Sequence, residues 1–574
     1  MARFGESRCW WIGLLLPAVL LLFGRDAAAE WDVWTAVDTR RVLRDAPPAA
    51  TVPVALGAAR NEWEGFQLFV RSDEPVAGVT LEPGELRGPE GALLPAADAR
   101  LYRQHALRLD VGTYRNDGFE PGWYPDPLIP SRHPLSREPL PEARLRAMPF
   151  DLPAGETHGF WVDLYVPPDA TPGPYRGTYR LTAADGRVAE IPVALSVWDF
   201  RLPDVPTLHT ALGSPAARMR GYYRQRAAEG KEQEPADWDA VERQCAELLS
   251  RHRINATPPS GSLAPVEGPD GTFAIPPEQI AAFREFVDRY HVNAFRTPHP
   301  RSAVRDPVQQ RERLHAWLAA WDRAAEKLDR PQVLFYTYLK DEPNDEEAYQ
   351  YVQQWGRAIR EADSVVKVLV VEQTWTQNEA WGDLYGAVDI WCPLFSLFKE
   401  ESAVKRQAAG ETLWTYTALC QREPTPWWHI DFPLLNYRVP AWIAWRYRIR
   451  GLLYWGGMSF WRQVDDPWTD PKTLDRREGR EQPLYNGEGT IVYPGRAVGY
   501  DGIAASLRLK ALRDAVEDYE YLAILERAGR ADEAQKLILP LAGSWFEWER
   551  DPAAYESVRT KLAQLIVAAR TSTQ

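Results

Sequence analysis

Two adjacent carboxylates, Asp341 and Glu342, stand between a run of strand-forming residues and Pro343. Such a pair at the end of a buried strand suits cleavage of a glycosidic bond. One carboxyl must hold a proton near neutral pH and give it to the leaving oxygen. An ionised neighbour favours that protonated form by like-charge repulsion. The plainer reading is structural. Acids ahead of a helix complement its macrodipole, and Asp345, Glu346 and Glu347 extend the acidic run.

A retaining glycosidase of the usual kind needs a second carboxylate about 5 Å away across the sugar, and adjacent residues seldom face each other that way. In many barrel glycosidases that group ends the seventh strand. Here the corresponding stretch, Leu413 to Leu419, holds no carboxylate, and Glu411 stands at its other end. The absence favours a nucleophile brought by the substrate. A 2-acetamido sugar can attack with its own carbonyl oxygen and pass through an oxazolinium ion. Asp341 would then orient the acetamido N–H, and Glu342 would act as acid and then base. Two rivals remain open at this level. One is a hydrolase of sugars lacking the acetamido group, pairing Glu342 with a remote Glu372 or Asp465. The other is a carbohydrate-binding protein without catalysis.

The elements that must position the pair are legible around it. Val333 to Tyr338 are the aliphatic, β-branched and aromatic types of a buried strand. Pro343 ends the ladder and biases Glu342 toward an extended or turn conformation. Apolar residues at Ala348, Val352, Trp355 and Ile359 then predict a helix. From residue 204 onward the pattern alternates strand and helix. Eight strands are predicted at 208–212, 254–257, 292–296, 332–339, 366–372, 387–394, 412–417 and 451–456, with short helices after the fifth and sixth. That is the signature of a (β/α)8 barrel, whose catalytic groups gather at the carboxyl ends of the strands.

Ahead of it, residues 30–203 read as an antiparallel β-sandwich, with short strands punctuated by Pro and Gly. Within that region 118–130 reads as a long loop, either a surface excursion or a lid edge carrying Trp123, Tyr124 and Asp126. A linker at Arg201–Pro206 joins it to the barrel, taken as 204–530. After the eighth strand comes a long aromatic loop, 457–489, and a helix over 503–526. Residues 531–574 form a C-terminal segment of one or two surface helices.

Composition sets the remaining bounds. The chain has 574 residues, 45% hydrophobic and 26% charged, which fits a globular protein of two or three domains. A net charge of −13, with no basic run, argues against a nucleic-acid partner. Arg3 and Arg8, an apolar run from Cys9 to Phe23 and Ala27-Ala28-Ala29 form a secretory signal over residues 1–29. The mature protein is thus expected outside the cytoplasm (periplasmic, cell-surface or secreted) with no stable membrane insertion. Cys245, Cys392 and Cys420 do not make a disulfide framework, although Cys392 and Cys420 could pair. The nine His show no metal-binding spacing. No metal and no cofactor are expected, and the expected partner is a glycan or glycoconjugate. The oligomeric state stays open.

Several stretches together resemble the catalytic domain of glycoside hydrolase family 123 with its N-terminal sandwich, and its uncharacterised homologues. They are Ala59–Gln67 (ARNEWEGFQ), Tyr124–Leu128 (YPDPL), Asp341-Glu342-Pro343, Gly451–Trp455 (GLLYW) and Leu509–Asp514 (LKALRD). The consecutive Asp-Glu at a strand end is the specific part. The resemblance implies a retaining, substrate-assisted β-N-acetylgalactosaminidase, with Asp341 orienting the acetamido group and Glu342 as acid/base. Further candidates come from position alone. Tyr338 should flank the acid pair. Trp375, Tyr416 and Trp455 lie near strand ends and offer a sugar platform. Asp431 and Arg438 offer contacts to sugar hydroxyls, which would discriminate C4 epimers.

Overall fold

The structure is a computed structural model and describes residues 31–421, 424–455, 457–475 and 483–571. The predicted leader, 1–29, lies outside them. The N-terminal region is two sheets around one apolar core. One runs in the order Asp32–Ala36, Glu62–Arg71, His158–Val166, Arg100–Leu109, Gly122–Pro130. The other runs Val54–Arg60, Val188–Arg201, Gly173–Thr182, Val76–Glu82, Phe150–Leu152. Phe66, Leu68, Phe160 and Val162 from the first meet Val79, Tyr179, Val193 and Leu195 from the second. Alternating apolar residues on long strands produce that layer directly.

Two expectations need correction here. The region is not wholly antiparallel, because Val54–Arg60 pairs in parallel with Val188–Arg201. The stretch read as a loop is largely the strand Gly122–Pro130, paired with Arg100–Leu109. It is the outer strand of its sheet, where prolines that cannot donate are tolerated. Leu128 N–H instead donates to Ala505 O at 3.0 Å, tying the strand to the segment before the long C-terminal helix.

The second half is a nearly closed parallel sheet of seven strands. Its order is His209–Ala211, Gly451–Tyr454, Thr412–Thr417, Ile390–Trp391, Lys367–Val371, Leu334–Asp341, Ala294–Arg296. Seven of the eight expected strands are present. The stretch 254–257 joins no ladder, and the Asn255 side chain and the Thr210 hydroxyl bridge its place. Asn255 N–H donates to Thr210 Oγ1 at 2.7 Å and Asn255 Nδ2 to Ala294 O at 2.7 Å, while Asn293 N–H donates to Asn255 Oδ1 at 3.1 Å. Pro258 and Pro259, directly after, leave no donors with which to extend a strand.

The helices fall where apolar spacing placed them, as at Pro277–Tyr290, Arg311–Leu328 and Glu346–Arg360. The last is capped by Asp345, whose carboxylate accepts from Ala348 N–H at 2.7 Å. The two connections expected to be short hold single turns at Glu379–Trp381 and Phe395–Leu397 and a helix at Glu400–Ala408.

The helix after the long loop is Leu507–Arg527, starting at Ser506, whose Oγ accepts from Leu509 N–H at 3.1 Å. It is buried on nearly every side, not along one stripe. Its charged residues all find partners. Arg508 meets Asp126 and Arg513 meets Asp163, both at 2.9 Å, while Lys510 also meets Asp163. Glu517 meets Arg253 at 3.0 Å, and Asp518 meets Arg438 at 2.6 Å and Arg559 at 2.9 Å. Arg559 also meets Glu62 and Glu64. The C-terminal segment holds two helices, Ala531–Ile538 and Pro552–Thr571; the last keeps one face exposed and buries its Tyr555, Leu562 and Ile566 in the common core.

Candidate active site

The strand Leu334–Asp341 alternates as its sequence suggests, up to one point. Leu334, Tyr336 and Tyr338 face the barrel interior, with Leu369, Val371, Trp414 and Tyr416. Val333, Phe335 and Leu339 face the surrounding helices. Strict alternation would next send Lys340 inward. Instead the register shifts. Tyr338 stands opposite Leu369, Lys340 opposite the outward Val370, and Asp341 opposite the inward Val371. Leu339 is the extra residue of a β-bulge, and the bulge turns Asp341 into the barrel mouth.

Glu342 then leaves the strand in a left-handed conformation, with φ of 39°. Of the extended or turn conformations expected before Pro343, the extended one does not form. Its N–H donates to Val371 O at 3.1 Å, and its carboxylate accepts from Tyr416 OH, so both ends of the residue are held across the turn. A non-glycine residue in this region costs on the order of 1–3 kcal/mol and persists only where neighbours enforce it.

The two carboxylates therefore diverge. Asp341 lines a cavity of about 730 Å³ with Tyr338, Arg296, Arg218 and Trp455. Glu342 lines one of about 360 Å³ with Trp375, Gln373, Glu372 and Tyr416. Each has its own tyrosine. Tyr338 OH donates to Asp341 Oδ1 at 2.6 Å, and Tyr416 OH donates to Glu342 Oε1. Burial first, and then the adjoining carboxylate, pushes both phenols well up, so both stay donors. One oxygen of each carboxylate is thereby fixed and the other is left for a ligand.

Four of the sequence candidates come together here. Tyr338 and Tyr416 hold the acids. Trp375 is half-buried on the Glu342 side, with Lys399 Nζ 3.5 Å from its ring centre. Trp455 is 37% exposed on the Asp341 side, its indole N–H given to the buried Glu488. The other three lie elsewhere, their charges already engaged. Asp126 is buried against Arg508 and accepts from Tyr493 OH at 2.6 Å. Asp431 accepts from Thr113 N–H and Oγ1, both at 2.7 Å, and fastens the 113–116 turn. Arg438 is buried among Asp518, Asp38 and Glu556. Among the described residues no cluster of three or more His, Cys, Asp or Glu is arranged to hold a metal.

Glu372 is brought beside Glu342, which no local motif signalled. It is almost fully buried, and its Oε1 accepts from Tyr349 OH at 3.2 Å. Burial, with a smaller contribution from the Glu342 charge, pushes its carboxyl up to about 8, so it is neutral at pH 7. The sign of the linkage follows. From about 4.5, the unfolded value, to about 8, the folded chain keeps a proton that the unfolded chain has released. Stability is thus lost as pH rises through that window. Glu372→Gln, neutral at every pH, should flatten that loss. Urea midpoints of both proteins at about pH 5 and about pH 9 check it, and parallel pH curves would contradict it.

Comparison with known proteins bears on the family and the fold. Residues 324–525, which include the acid pair and five of the seven strands, match the model of the glycoside hydrolase 123 catalytic domain. That segment belongs to glycoside hydrolase family 123. A solved family 123 glycoside hydrolase from Clostridium perfringens, described for glycolipid glycan hydrolysis, superposes with a TM-score of 0.63 at 13% identity. The match covers 95% of this chain and 98% of that one, so the N-terminal sheets and the C-terminal helices share its fold as well. A family 39 glycoside hydrolase from Bacteroides cellulosilyticus WH2 is more distant, at TM-score 0.30 and 8% identity over 83% of this chain and 82% of its own. No curated protein sequence matches.

Proposed function

We propose that this family 123 domain removes β-linked N-acetylgalactosamine, or a related 2-acetamido sugar, with retention and with the substrate's own acetamido oxygen as nucleophile. In the first step that oxygen attacks C1, the C1–O bond to the leaving group breaks, and Glu342 gives its proton to the departing oxygen. Asp341 accepts a hydrogen bond from the acetamido N–H and offsets the charge of the oxazolinium ion. In the second step the Glu342 carboxylate takes a proton from water, whose oxygen attacks C1 and reopens the ring. Two inversions leave the configuration unchanged.

The observation that carries this reading is the character of the carboxyl groups near Glu342. A two-carboxylate mechanism needs an ionised nucleophile. Glu372 is neutral at pH 7 and bonded to Tyr349, and Asp465 is exposed and paired with Lys231 at 2.7 Å. Glu372 lacks the charge that chemistry requires and Asp465, though charged, lines neither cavity, whereas a substrate that brings its own oxygen needs no such partner. The predicted leader suits export to where glycans are met.

The test is hydrolysis of aryl β-glycosides of N-acetylgalactosamine, N-acetylglucosamine, galactose and glucose by the mature chain. Only the two acetamido sugars should turn over, with the β-anomer released first in the NMR spectrum. A thiazoline mimic of the oxazoline should inhibit competitively. Release of the α-anomer, or turnover of galactose or glucose that the thiazoline leaves untouched, would exclude the mechanism.

A further inference from the structure

The cavity beside Asp341 is lined by three cations, Arg218, Arg296 and Lys340, and by no carboxylate other than Asp341. None of the three forms an ion pair or donates a hydrogen bond to a described residue. Their contacts are aromatic faces. Arg218 Cζ lies 5.1 Å from the Phe460 ring and 5.9 Å from Trp455, Arg296 Cζ lies 4.5 Å from Tyr338, and Lys340 Nζ lies 5.9 Å from Tyr351. An aromatic face meets only part of a cation's demand, and it leaves the N–H groups of a guanidinium edge available.

This contrasts with the rest of the chain. The buried arginines around the Leu507–Arg527 helix are matched acid for base, and the protein as a whole carries −13. Unmatched cations at the barrel mouth oppose that overall field. Arg218 is also built into place. A side-chain carbon at Gly457 would sit 3.1 Å from Arg218 Nε, so the glycine makes the room the guanidinium occupies. Burial, and then repulsion from nearby Arg462, pulls the Arg218 value down, so the folded chain gains nothing electrostatic from keeping this charge unpaired.

We propose that the sugar seated beside Asp341 carries an anionic substituent, a sulfate ester or a linked uronate, which Arg218 and Arg296 bind, while Lys340, turned outward by the bulge toward Tyr351, adds only its charge to the field there. The substituent would supply the charge-assisted hydrogen bonds these cations lack, and guanidinium forks suit the flat or tetrahedral oxygens of both groups. The identity of the sugar rests on the proposed acetamido chemistry. The anion site itself does not.

Calorimetric titration of the mature chain separates the two. The probes are N-acetylgalactosamine, its 4-sulfate, its 6-sulfate, and the disaccharide bearing a glucuronate on the same sugar. At about 0.01 M ionic strength at least one charged probe should bind about tenfold or more tighter than the neutral sugar. Near 1 M, where screening acts within about 3 Å, the advantage should shrink toward parity. The arm that gains tells sulfate from uronate. Arg296→Gln, an exposed position, and Arg218→Gln should each reduce the advantage severalfold. Equal binding of neutral and charged sugars, no measurable binding of any, or an advantage that survives salt and both substitutions would overturn the proposal. Turnover of neutral aryl N-acetylhexosaminides with no preference for the anion sinks this inference alone. Preference for the anion with no acetamido glycoside cleaved sinks the proposed reaction and leaves the anion site standing.

Discussion

Glu342→Gln should lower kcat by about a hundredfold or more on a glycoside with a poor leaving group, the scale expected for a missing general acid. The loss should be selective. A dinitrophenyl leaving group departs without a proton, so its first step should be nearly unaffected, and the slow step should become attack by water unassisted by base. The amide of Gln can still accept from Tyr416 OH, so the held geometry survives while the transferable proton does not. Asp341→Asn gives the contrast. Its role is to accept from the acetamido N–H, so its loss should be similar for every leaving group. The check is kcat/KM across a leaving-group series for both variants, with urea midpoints confirming the fold. Equal losses for Glu342→Gln across the series would remove it from the proton-donor role.

The acid pair was visible in sequence because several local signals coincide there. A strand of β-branched and aromatic residues, a proline, and an acid-capped amphipathic helix fix where the chain turns and which end of the strand faces the loops. The direction each carboxylate takes was not visible. It depends on one extra residue, Leu339, and side-chain alternation cannot tell a strand with a bulge from one without. The same limit explains the second expected strand. Ile254 to Thr257 has the composition of a short strand, but ladder bonding depends on partners distant in sequence, and here the Asn255 side chain and the Thr210 hydroxyl bond in its place.

Three of the four motifs outside the acid pair share a different purpose. Glu62 and Glu64 belong to the 59–67 stretch, Asp126 to 124–128, and Lys510 and Arg513 to 509–514. All five lie in buried ion pairs on or around the Leu507–Arg527 helix, which joins the N-terminal sheets to the barrel. A charged residue near a predicted strand end reads as a ligand contact until its partner is known, and those partners lie up to several hundred residues away. That is why Asp126 reads as a lid-edge residue, and Asp431 and Arg438 as sugar contacts, in the sequence. Arg218, Arg296 and Lys340 drew none, because nothing in sequence marks an arginine that lacks a partner.

Arg438 provides the sharpest test of that distinction. Its guanidinium bonds Asp518 through Nε at 2.6 Å and Nη2 at 3.1 Å, and Nη1 faces Asp38 and Glu556. Burial raises the Asp38 carboxyl well above its usual range, and Arg438 is the principal influence opposing that rise. Arg438→Met keeps the volume and removes the charge. Asp518 retains Arg559 and the Trp442 indole N–H at 2.8 Å, but the buried Asp38 loses its nearest cation. Removing one partner from a buried network of this kind costs about 3–5 kcal/mol. The urea midpoint should fall accordingly, while the KM of the protein that remains folded stays within about twofold, since Arg438 lines neither cavity. Adding Asp38→Asn should recover part of the loss, because the pair is coupled. An unchanged midpoint with a severalfold rise in KM would instead return Arg438 to the sugar, and would mean that the network around the long helix contributes little to stability.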